Sequence, residues 1–193
     1  ETRIAPLVAA EQGGDDDIYL SVIALARHDD SAWCQVPRLP VMDARDRSPL
    51  LSDAHSHDHC LDRLRAFLET TIRLLVVNGL GSSSEILLVE YNPVRSVGFW
   101  NLSDAVQHLV KAREVVPSIR LLTVTKEQHE RIHNPYGFNL LEWHPKNVAA
   151  RRARGEFILF TNPDSVWSEG LGALIGRRQL RPDVFYVTHR GWL

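Results

Sequence analysis

The stretch from Asn147 to Asp164 constrains the fold more than any other part of the sequence. It reads Asn-Val-Ala-Ala-Arg-Arg-Ala-Arg-Gly-Glu-Phe-Ile-Leu-Phe-Thr-Asn-Pro-Asp. The first half predicts a helix over 146–154, which Gly155 ends by adopting a left-handed conformation. Residues 156–161 are too short a run for a helix and are rich in aromatic and branched side chains, so they predict a covered strand. The sequence therefore predicts a helix, a glycine turn and a buried strand in succession.

Two polar residues, Asn162 and Asp164, follow the predicted strand directly. In an open α/β sheet, ligands bind in the crevice outside the carboxyl ends of the strands. An acidic residue at this position is therefore a candidate for binding or chemistry. The alternative is an ordinary Asn-Pro-Asp turn, because all three residues favour turns.

The remaining apolar runs alternate between strand-like and helix-like spacing. Strands are predicted at 19–26, 85–90, 119–124 and 184–187, and helices at 60–78, 103–113, 126–132 and 168–178. This alternation is typical of α/β proteins and predicts a mainly parallel sheet with helices on both faces. We interpret residues 1–193 as a single domain, because no linker divides the chain and its length is enough for one core.

Local signals predict several helix ends. Thr125 and Ser168 are predicted amino-terminal caps, and Gly79 is a predicted helix stop. A basic cluster near the end of the helix at 146–154 is interpreted as a solvated face, because cations complement the carboxyl end of a helix dipole. The cluster consists of Arg151, Arg152 and Arg154.

A resemblance to a known family adds to this interpretation. The pattern Asn…Ala-x-Gly-Glu…Asp-x-Asp of GT-A glycosyltransferases is matched by Asn147, Ala153, Gly155, Glu156 and Asp164. The chain resembles family-2-type nucleotide-diphospho-sugar transferases over roughly residues 19–190. It departs from their pattern at Asn162, where the family has the first aspartate of Asp-x-Asp.

A closer similarity is to a poorly characterised group of GT-A-like proteins in bacteria and fungi. It is carried by the segments Ile-Leu-Leu-Val-Glu-Tyr-Asn-Pro at 86–93, Lys-Asn at 146–147 and Thr-Asn-Pro-Asp at 161–164. The resemblance implies a Rossmann-like GT-A fold with a nucleotide-sugar-binding core at 19–164. Residues 165–193 would then begin the acceptor side, and the fold would be truncated soon after the metal-motif strand.

The resemblance also implies which residues bind the nucleotide. It locates the nucleotide beside the ends of the first two strands in the chain, and it adds two residues of the helix before the metal strand. The implied nucleotide-binding residues are Ala26, Arg27, Asp29, Glu90, Lys146 and Asn147. A carboxylate at Glu90 suits a base N–H or ribose hydroxyls, and Lys146 offers a point charge to phosphate. The alternatives are an exposed acidic turn residue for Glu90 and a structural role for Asn147.

The implied cofactor is a divalent cation, Mn²⁺ or Mg²⁺, with Asp164 and Asn162 as its ligands. Mg²⁺ in phosphate sites commonly takes only one or two protein carboxylates. Asn162 would contribute a carbonyl oxygen, or instead a hydrogen bond to a sugar hydroxyl. These two residues are therefore the predicted metal site.

The resulting hypothesis is a glycosyltransferase that transfers a sugar from a UDP- or GDP-linked donor to an unknown acceptor. The alternative is a noncatalytic glycosyltransferase-like module that binds a nucleotide sugar or a protein partner. An inverting enzyme of this class normally needs a carboxylate base to deprotonate the acceptor hydroxyl. The candidates are Glu169, Asp183 and His189, and no motif assigns the role, so the catalytic residues stay unassigned.

Other functions are disfavoured. A net charge of −2 gives no basic field for nucleic acid, and no apolar run approaches the roughly 20 residues that span a membrane. A dense His/Asp/Cys tract at 53–60 lacks a distant partner pair for zinc, so we interpret it as an adventitious metal site or none. Most of the other histidines, which include His129, His133 and His144, are expected to face solvent. The cellular compartment is not predicted.

Overall fold

The computed structural model describes residues 3–8, 17–26, 59–92, 117–138 and 140–188. Within these ranges the chain forms five strands and four helices. Their order is β1 (Arg3–Val8), β2 (Leu20–Ala26), α1 (His59–Val77), β3 (Ser84–Tyr91), β4 (Ser118–Val124), α2 (Lys126–Glu130), α3 (Trp143–Ala150), β5 (Phe157–Thr161) and α4 (Glu169–Gly176). The helix predicted at 103–113 lies outside the described residues.

The strands form one sheet in the order β1-β4-β3-β2-β5. β2, β3, β4 and β5 are mutually parallel, whereas β1 runs antiparallel to β4 at one edge. The predicted α/β class with a mainly parallel sheet is confirmed. The sequence interpretation missed β1, which contains Pro6. Proline lowers the strand signal and is tolerated at a sheet edge, where its missing N–H disrupts little.

Helices cover both faces of the sheet, as the alternating pattern predicts. The predicted apolar stripe of α1, including Leu64, Phe67 and Ile72, is buried in one core together with Ile175 of α4. On the opposite face, Ala149 of α3 is buried against side chains of β2, β3 and β4. The four parallel strands are therefore the middle layer of an α/β/α arrangement.

The predicted caps are confirmed. Thr125 and Gln128 form a reciprocal capping box at the start of α2. The Ser168 hydroxyl accepts a hydrogen bond from the backbone N–H of Leu171 at 3.2 Å and so caps α4. Gly79 follows α1 with a φ of +72°, the left-handed conformation expected of a helix stop.

The prediction for the end of the third helix is wrong in two respects. The helix covers Trp143–Ala150 rather than 146–154. Gly155 is also not left-handed, since Gly79 and Gly137 are the glycines with positive φ among the described residues. Its role is close packing: a Cβ at Gly155 would lie 2.4 Å from the backbone N of Ser21. Glycine is needed here because the β5 segment approaches the β2 backbone directly.

The prediction that β5 is a covered strand is also wrong for one face. β5 lies at the sheet edge, and Ile158 and Phe160 are 41% and 44% exposed. The reason is that, among the described elements, α3 packs chiefly over β2 and β3. The final strand predicted at 184–187 does not form either, and Phe185 within it is 88% exposed. Residues 184–187 have side chains that favour strands, but this preference alone does not form a strand when no neighbouring strand pairs with them.

A buried carboxylate forms hydrogen bonds with several segments at the end of the sheet where the parallel strands begin. Glu85 at the start of β3 is fully buried and accepts hydrogen bonds from Ser21 Oγ at 2.7 Å and from the backbone N–H of Arg154 at 2.7 Å. The guanidinium groups of Arg120 and Arg154 donate to it at 2.9 and 3.0 Å. Arg154 is exposed, as the interpretation of the basic cluster as a solvated face predicts, but its guanidinium also neutralises this buried charge.

This network predicts acid sensitivity. Burial raises the pKa of Glu85, but hydrogen bonds from the Arg154 backbone, Ser21 and Arg120 outweigh burial and hold the pKa below its ordinary value of 4.5. A carboxyl group with a depressed folded-state pKa stabilises the protein above its unfolded pKa, and this contribution is lost as pH falls through the folded pKa. We therefore expect stability to fall below about pH 4.5.

The check is urea unfolding at several pH values between 6 and 3, for the wild type and for Glu85→Gln. The difference in free energy of unfolding between the two proteins should shrink as the pH falls below 4.5. A difference that is constant over this range would contradict the assignment of the effect to Glu85.

Candidate functional site

The order of the parallel strands defines one crevice. From β2 the chain proceeds outward to β3 and β4, and it then returns to the other side of β2 to form β5. The direction of strand order therefore reverses between β2 and β5. In open α/β sheets, ligands bind at the carboxyl ends of the strands at this reversal. The residues that follow β5 border that position.

Asn162 and Asp164 lie in a tight turn at the carboxyl end of β5. The backbone N–H of Ser165 donates to the carbonyl oxygen of Asn162 at 3.0 Å, which closes the turn. The Asp164 carboxylate is on an exposed residue and accepts from Ser165 Oγ at 3.4 Å, whereas Asn162 is half-buried. The turn interpretation and the ligand interpretation are thus compatible, because the turn presents a carboxylate at the strand end.

Glu90 also lies at the carboxyl ends of the strands, near the end of β3, which is the neighbour of β2 on the side away from β5. It pairs in register with Ala26 of β2 and Thr123 of β4, and Thr123 Oγ1 donates to its carboxylate at 3.2 Å. Two strand spacings of about 4.8 Å separate β3 from β5. The structure therefore brings Glu90 and the turn after β5 to opposite flanks of the β2 end. Ala26 ends β2, and Arg27 and Asp29 lie outside the described residues.

Lys146 and Asn147 lie on α3, and their described contacts are within that helix and its approach. The Lys146 ammonium forms an ion pair with Glu142 and lies 5.3 Å from the centroid of the Trp143 ring. The Asn147 side-chain oxygen accepts from Arg151 Nε at 3.3 Å. These contacts do not bring the pair to the turn at Asp164. For Asn147 they agree with the structural alternative.

Three side chains that the sequence interpretation missed meet at the carboxyl end of β3, on the face of the sheet that α3 covers. The hydroxyl of Tyr91, at the end of β3, lies 2.7 Å from Nδ1 of His129, and the Tyr91 ring contacts the His129 and His144 rings. The expectation that most of the scattered histidines face solvent does not hold for this pair, since His129 is buried and His144 half-buried, whereas His133 is exposed as expected. Burial, together with the nearby His129, lowers the pKa of His144. No sequence signal marks this contact, because it joins residues on three separate elements.

The candidate bases lie beyond β5. Glu169 is exposed in the first turn of α4, and Asp183 is exposed and paired with Arg181 at 2.7 Å. His189 and the side chains of the tract at 53–60 lie outside the described residues. In the part of the chain that the structure describes, no three His, Cys, Asp or Glu side chains gather into a metal-binding group. Nor is any described helix long and apolar enough to cross a membrane.

Comparisons with protein-family models, with curated proteins and with solved structures gave no match to this chain. The structure is an α/β fold in which the polar residues Asn162 and Asp164 follow β5 at the point where the strand order reverses. The functional argument accordingly starts from that edge of the sheet.

Proposed function

We propose that this chain is a GT-A-like domain that binds a nucleotide-diphosphate sugar at the carboxyl edge of its sheet and transfers the sugar to an acceptor. The observation that carries the proposal is the position of the turn at Asn162–Asp164. It lies where the strand order reverses, which is the ligand-binding position of open α/β sheets. The sequence resemblance around Gly155 and Asp164 supports the same class of site.

The two flanks of β2 have complementary chemistry for such a ligand. Glu90 offers carboxylate oxygens, which accept hydrogen bonds from ribose hydroxyls or from a base N–H. Thr123 supports this carboxylate through its hydrogen bond. The turn after β5 offers the oxygens of Asp164 and Asn162 on the other flank. A nucleoside would lie toward β3 and a diphosphate toward β5 in this arrangement.

The donor set after β5 fits a hard divalent cation such as Mn²⁺ or Mg²⁺. Asp164 supplies an exposed carboxylate, and Asn162 supplies a neutral amide oxygen two residues before it. A single carboxylate is compatible with a cation that also binds the phosphates of its substrate. Such a cation, when bound, neutralises the charge that develops on a diphosphate leaving group. The chain's own contribution is to place Asp164 at the strand end through the turn that Asn162 and Ser165 close.

A second function, a noncatalytic module that binds a nucleotide sugar or a protein partner, is favoured by Asn162. Where the transferase pattern has two carboxylates, this chain has one, which weakens the attraction for a cation by one charge. The candidate base Asp183 is also paired with Arg181 rather than presented alone. Nucleotide binding without turnover is the outcome that would favour this second function.

The test is calorimetric titration of UDP and of GDP, each with and without Mn²⁺, into the wild type and into Asp164→Ala. We expect one of the nucleotides to bind in a metal-dependent manner. The Asp164→Ala variant should bind it at least tenfold more weakly, a loss of about 1.4 kcal/mol or more.

The matched control is Asp17→Ala, which removes an exposed aspartate just before the amino end of β2, at the opposite end of the strands, and should leave nucleotide affinity unchanged. Equal affinities of wild type and Asp164→Ala would contradict the assignment of the metal site. Failure of both nucleotides to bind the wild type would contradict the proposed function itself.

A further inference from the structure

The segment between α2 and α3 exposes two aromatic rings side by side. Tyr136 is 81% exposed and Phe138 is 57% exposed. Their ring centroids are 5.8 Å apart, with an angle of 44° between the ring planes. We call residues 134–138 the aromatic loop. Contiguous exposed apolar side chains are a common mark of a binding surface, and aromatic rings gain much stabilisation when they are covered.

The aromatic loop is held in shape by its first residue. The side-chain amide of Asn134 donates to the carbonyl oxygen of Phe138 at 2.7 Å, and its oxygen accepts from the Phe138 N–H at 3.0 Å. The carbonyl of Asn134 also accepts from the N–H of Gly137, which has a φ of +64°. A preformed loop loses little conformational entropy on binding. The two rings are therefore presented for contact before any ligand arrives.

The aromatic loop is anchored at the edge of the sheet that carries the candidate site. His129 precedes the loop and His144 follows it, and both rings contact Tyr91. Tyr91 comes directly after Glu90 at the carboxyl end of β3. Tyr91 belongs to the face of the sheet that α3 covers, whereas Glu90, one residue before it, alternates to the face that α1 covers. The histidines that flank the loop therefore lie at the carboxyl end of β3 on the α3 face, opposite the Glu90 side chain.

Charge and size limit what can bind there. Residues 126–147 contain three Lys or Arg and three Glu residues, so with neutral histidines the region has no net charge. It has no electrostatic attraction for an anionic membrane or for nucleic acid. Four apolar side chains of this region are exposed, namely Tyr136 (81%), Phe138 (57%), Leu140 (36%) and Trp143 (77%). At most about 250 Å² for each whole side chain, their exposed parts total less than the about 800 Å² per partner of a stable protein interface. A small neutral ligand with an apolar face fits both limits.

We infer that Tyr136 and Phe138 form a stacking surface for a neutral pyranose, which is the acceptor sugar if the proposed function holds. The axial C–H groups of a pyranose form a weakly positive apolar face. The faces of aromatic rings are negative, so the two surfaces are complementary. The assignment of this sugar as the acceptor rests on the proposed function. The binding of a sugar by the two rings does not depend on it.

The experiment is saturation-transfer NMR with cellotetraose and with maltotetraose, on the wild type and on the double variant Tyr136→Ala/Phe138→Ala. We expect the wild type to bind one of these probes and the double variant to bind it roughly tenfold more weakly, because two stacking contacts are removed. Phe185→Ala is the control, since Phe185 is an exposed aromatic residue on the segment after α4. Both rings are exposed, so thermal unfolding of the double variant should match that of the wild type.

Three results would overturn the inference. The first is that neither sugar probe binds the wild type, and the second is that the double variant binds the sugar as well as the wild type does. The third is that the wild type binds phosphatidylserine vesicles and the double variant loses this binding while its sugar binding is unchanged.

The UDP and GDP titrations separate this inference from the proposed function. Sugar binding without nucleotide binding supports the stacking surface and contradicts the transferase. Nucleotide binding without sugar binding overturns the stacking surface alone.

Discussion

Replacing Glu85 with alanine is expected to destabilise the protein by about 3 kcal/mol, because it removes one partner of a buried ionic network. The carboxylate accepts four hydrogen bonds from Ser21, Arg120 and Arg154. Without it, the Arg154 backbone N–H and the Ser21 hydroxyl lose an acceptor inside the protein. The arginine side chains are partly exposed, so water compensates them in part and the loss falls at the lower end for buried pairs.

The measurement is urea unfolding, in which the midpoint should fall while the slope stays constant. In thermal unfolding, the same loss corresponds to about 6 to 12 °C for a chain of this size. Glu156→Ala is the matched control, because Glu156 is an exposed glutamate near the same turn. A loss below about 0.5 kcal/mol in Glu85→Ala, which is typical of surface substitutions, would show that the network does not stabilise the fold.

Replacing Gly155 with alanine is expected to cost about 3 kcal/mol or more, since overpacking against backbone cannot be relieved by side-chain rotation. The added Cβ would lie 2.4 Å from Ser21 N and 2.7 Å from Leu20 C, both backbone atoms. Relief requires β5 to move away from β2. That movement would stretch the hydrogen bond from the Gly155 N–H to Ser21 Oγ, now 2.8 Å long.

Gly170→Ala provides the contrast for this prediction. Gly170 lies in α4, and the nearest atom to an added Cβ there is Ser168 Oγ at 3.9 Å. Alanine at an unstrained helical position stabilises by up to about 1 kcal/mol. Chemical unfolding of the two variants should therefore show shifts of opposite sign. A neutral Gly155→Ala would contradict the packing role that we assign to Gly155.

The main layers of the fold could be predicted because local spacing encodes them. The stripe of apolar side chains along α1 and the apolar cores of β2, β3 and β4 are visible in the sequence as periodic patterns. Caps such as Thr125 and Ser168 are local too, since a side chain satisfies backbone groups two or three residues away. These predictions needed no knowledge of the tertiary arrangement.

The errors arose where distant contacts decide the structure. Gly155 fits a helix stop by its neighbours in sequence, but the Ser21 backbone imposes its actual role. Glu85 is a charged residue at the start of an apolar strand, which was a usable signal for a buried ion pair, but its partners Arg120 and Arg154 come from two other segments. Ile158 and Phe160 have the composition of a buried strand and lie at an edge, because composition does not specify strand order.

The candidate site was predictable only in part. The sequence places Asp164 and Glu90 after strands, and parallel strands bring their carboxyl ends to one edge of a sheet. That edge is observed, with β2 between the two residues. The contact of His129 and His144 with Tyr91 could not be foreseen, because a helix start and a helix end meet there only through tertiary packing.

Paramagnetic broadening by Mn²⁺ in the presence of UDP, and separately of GDP, tests the central claim most directly. β3 extends about 23 Å along the sheet, so its two edges are well separated for a paramagnetic ion. We predict that the backbone amide signals of Asp164, Ser165 and Asn92 broaden with one of the nucleotides, while those of Ser84 and Gly155 at the opposite edge persist. Broadening centred on Ser84 and Gly155, or no nucleotide-dependent broadening at Asp164, would contradict a nucleotide and metal site at the carboxyl edge of the sheet.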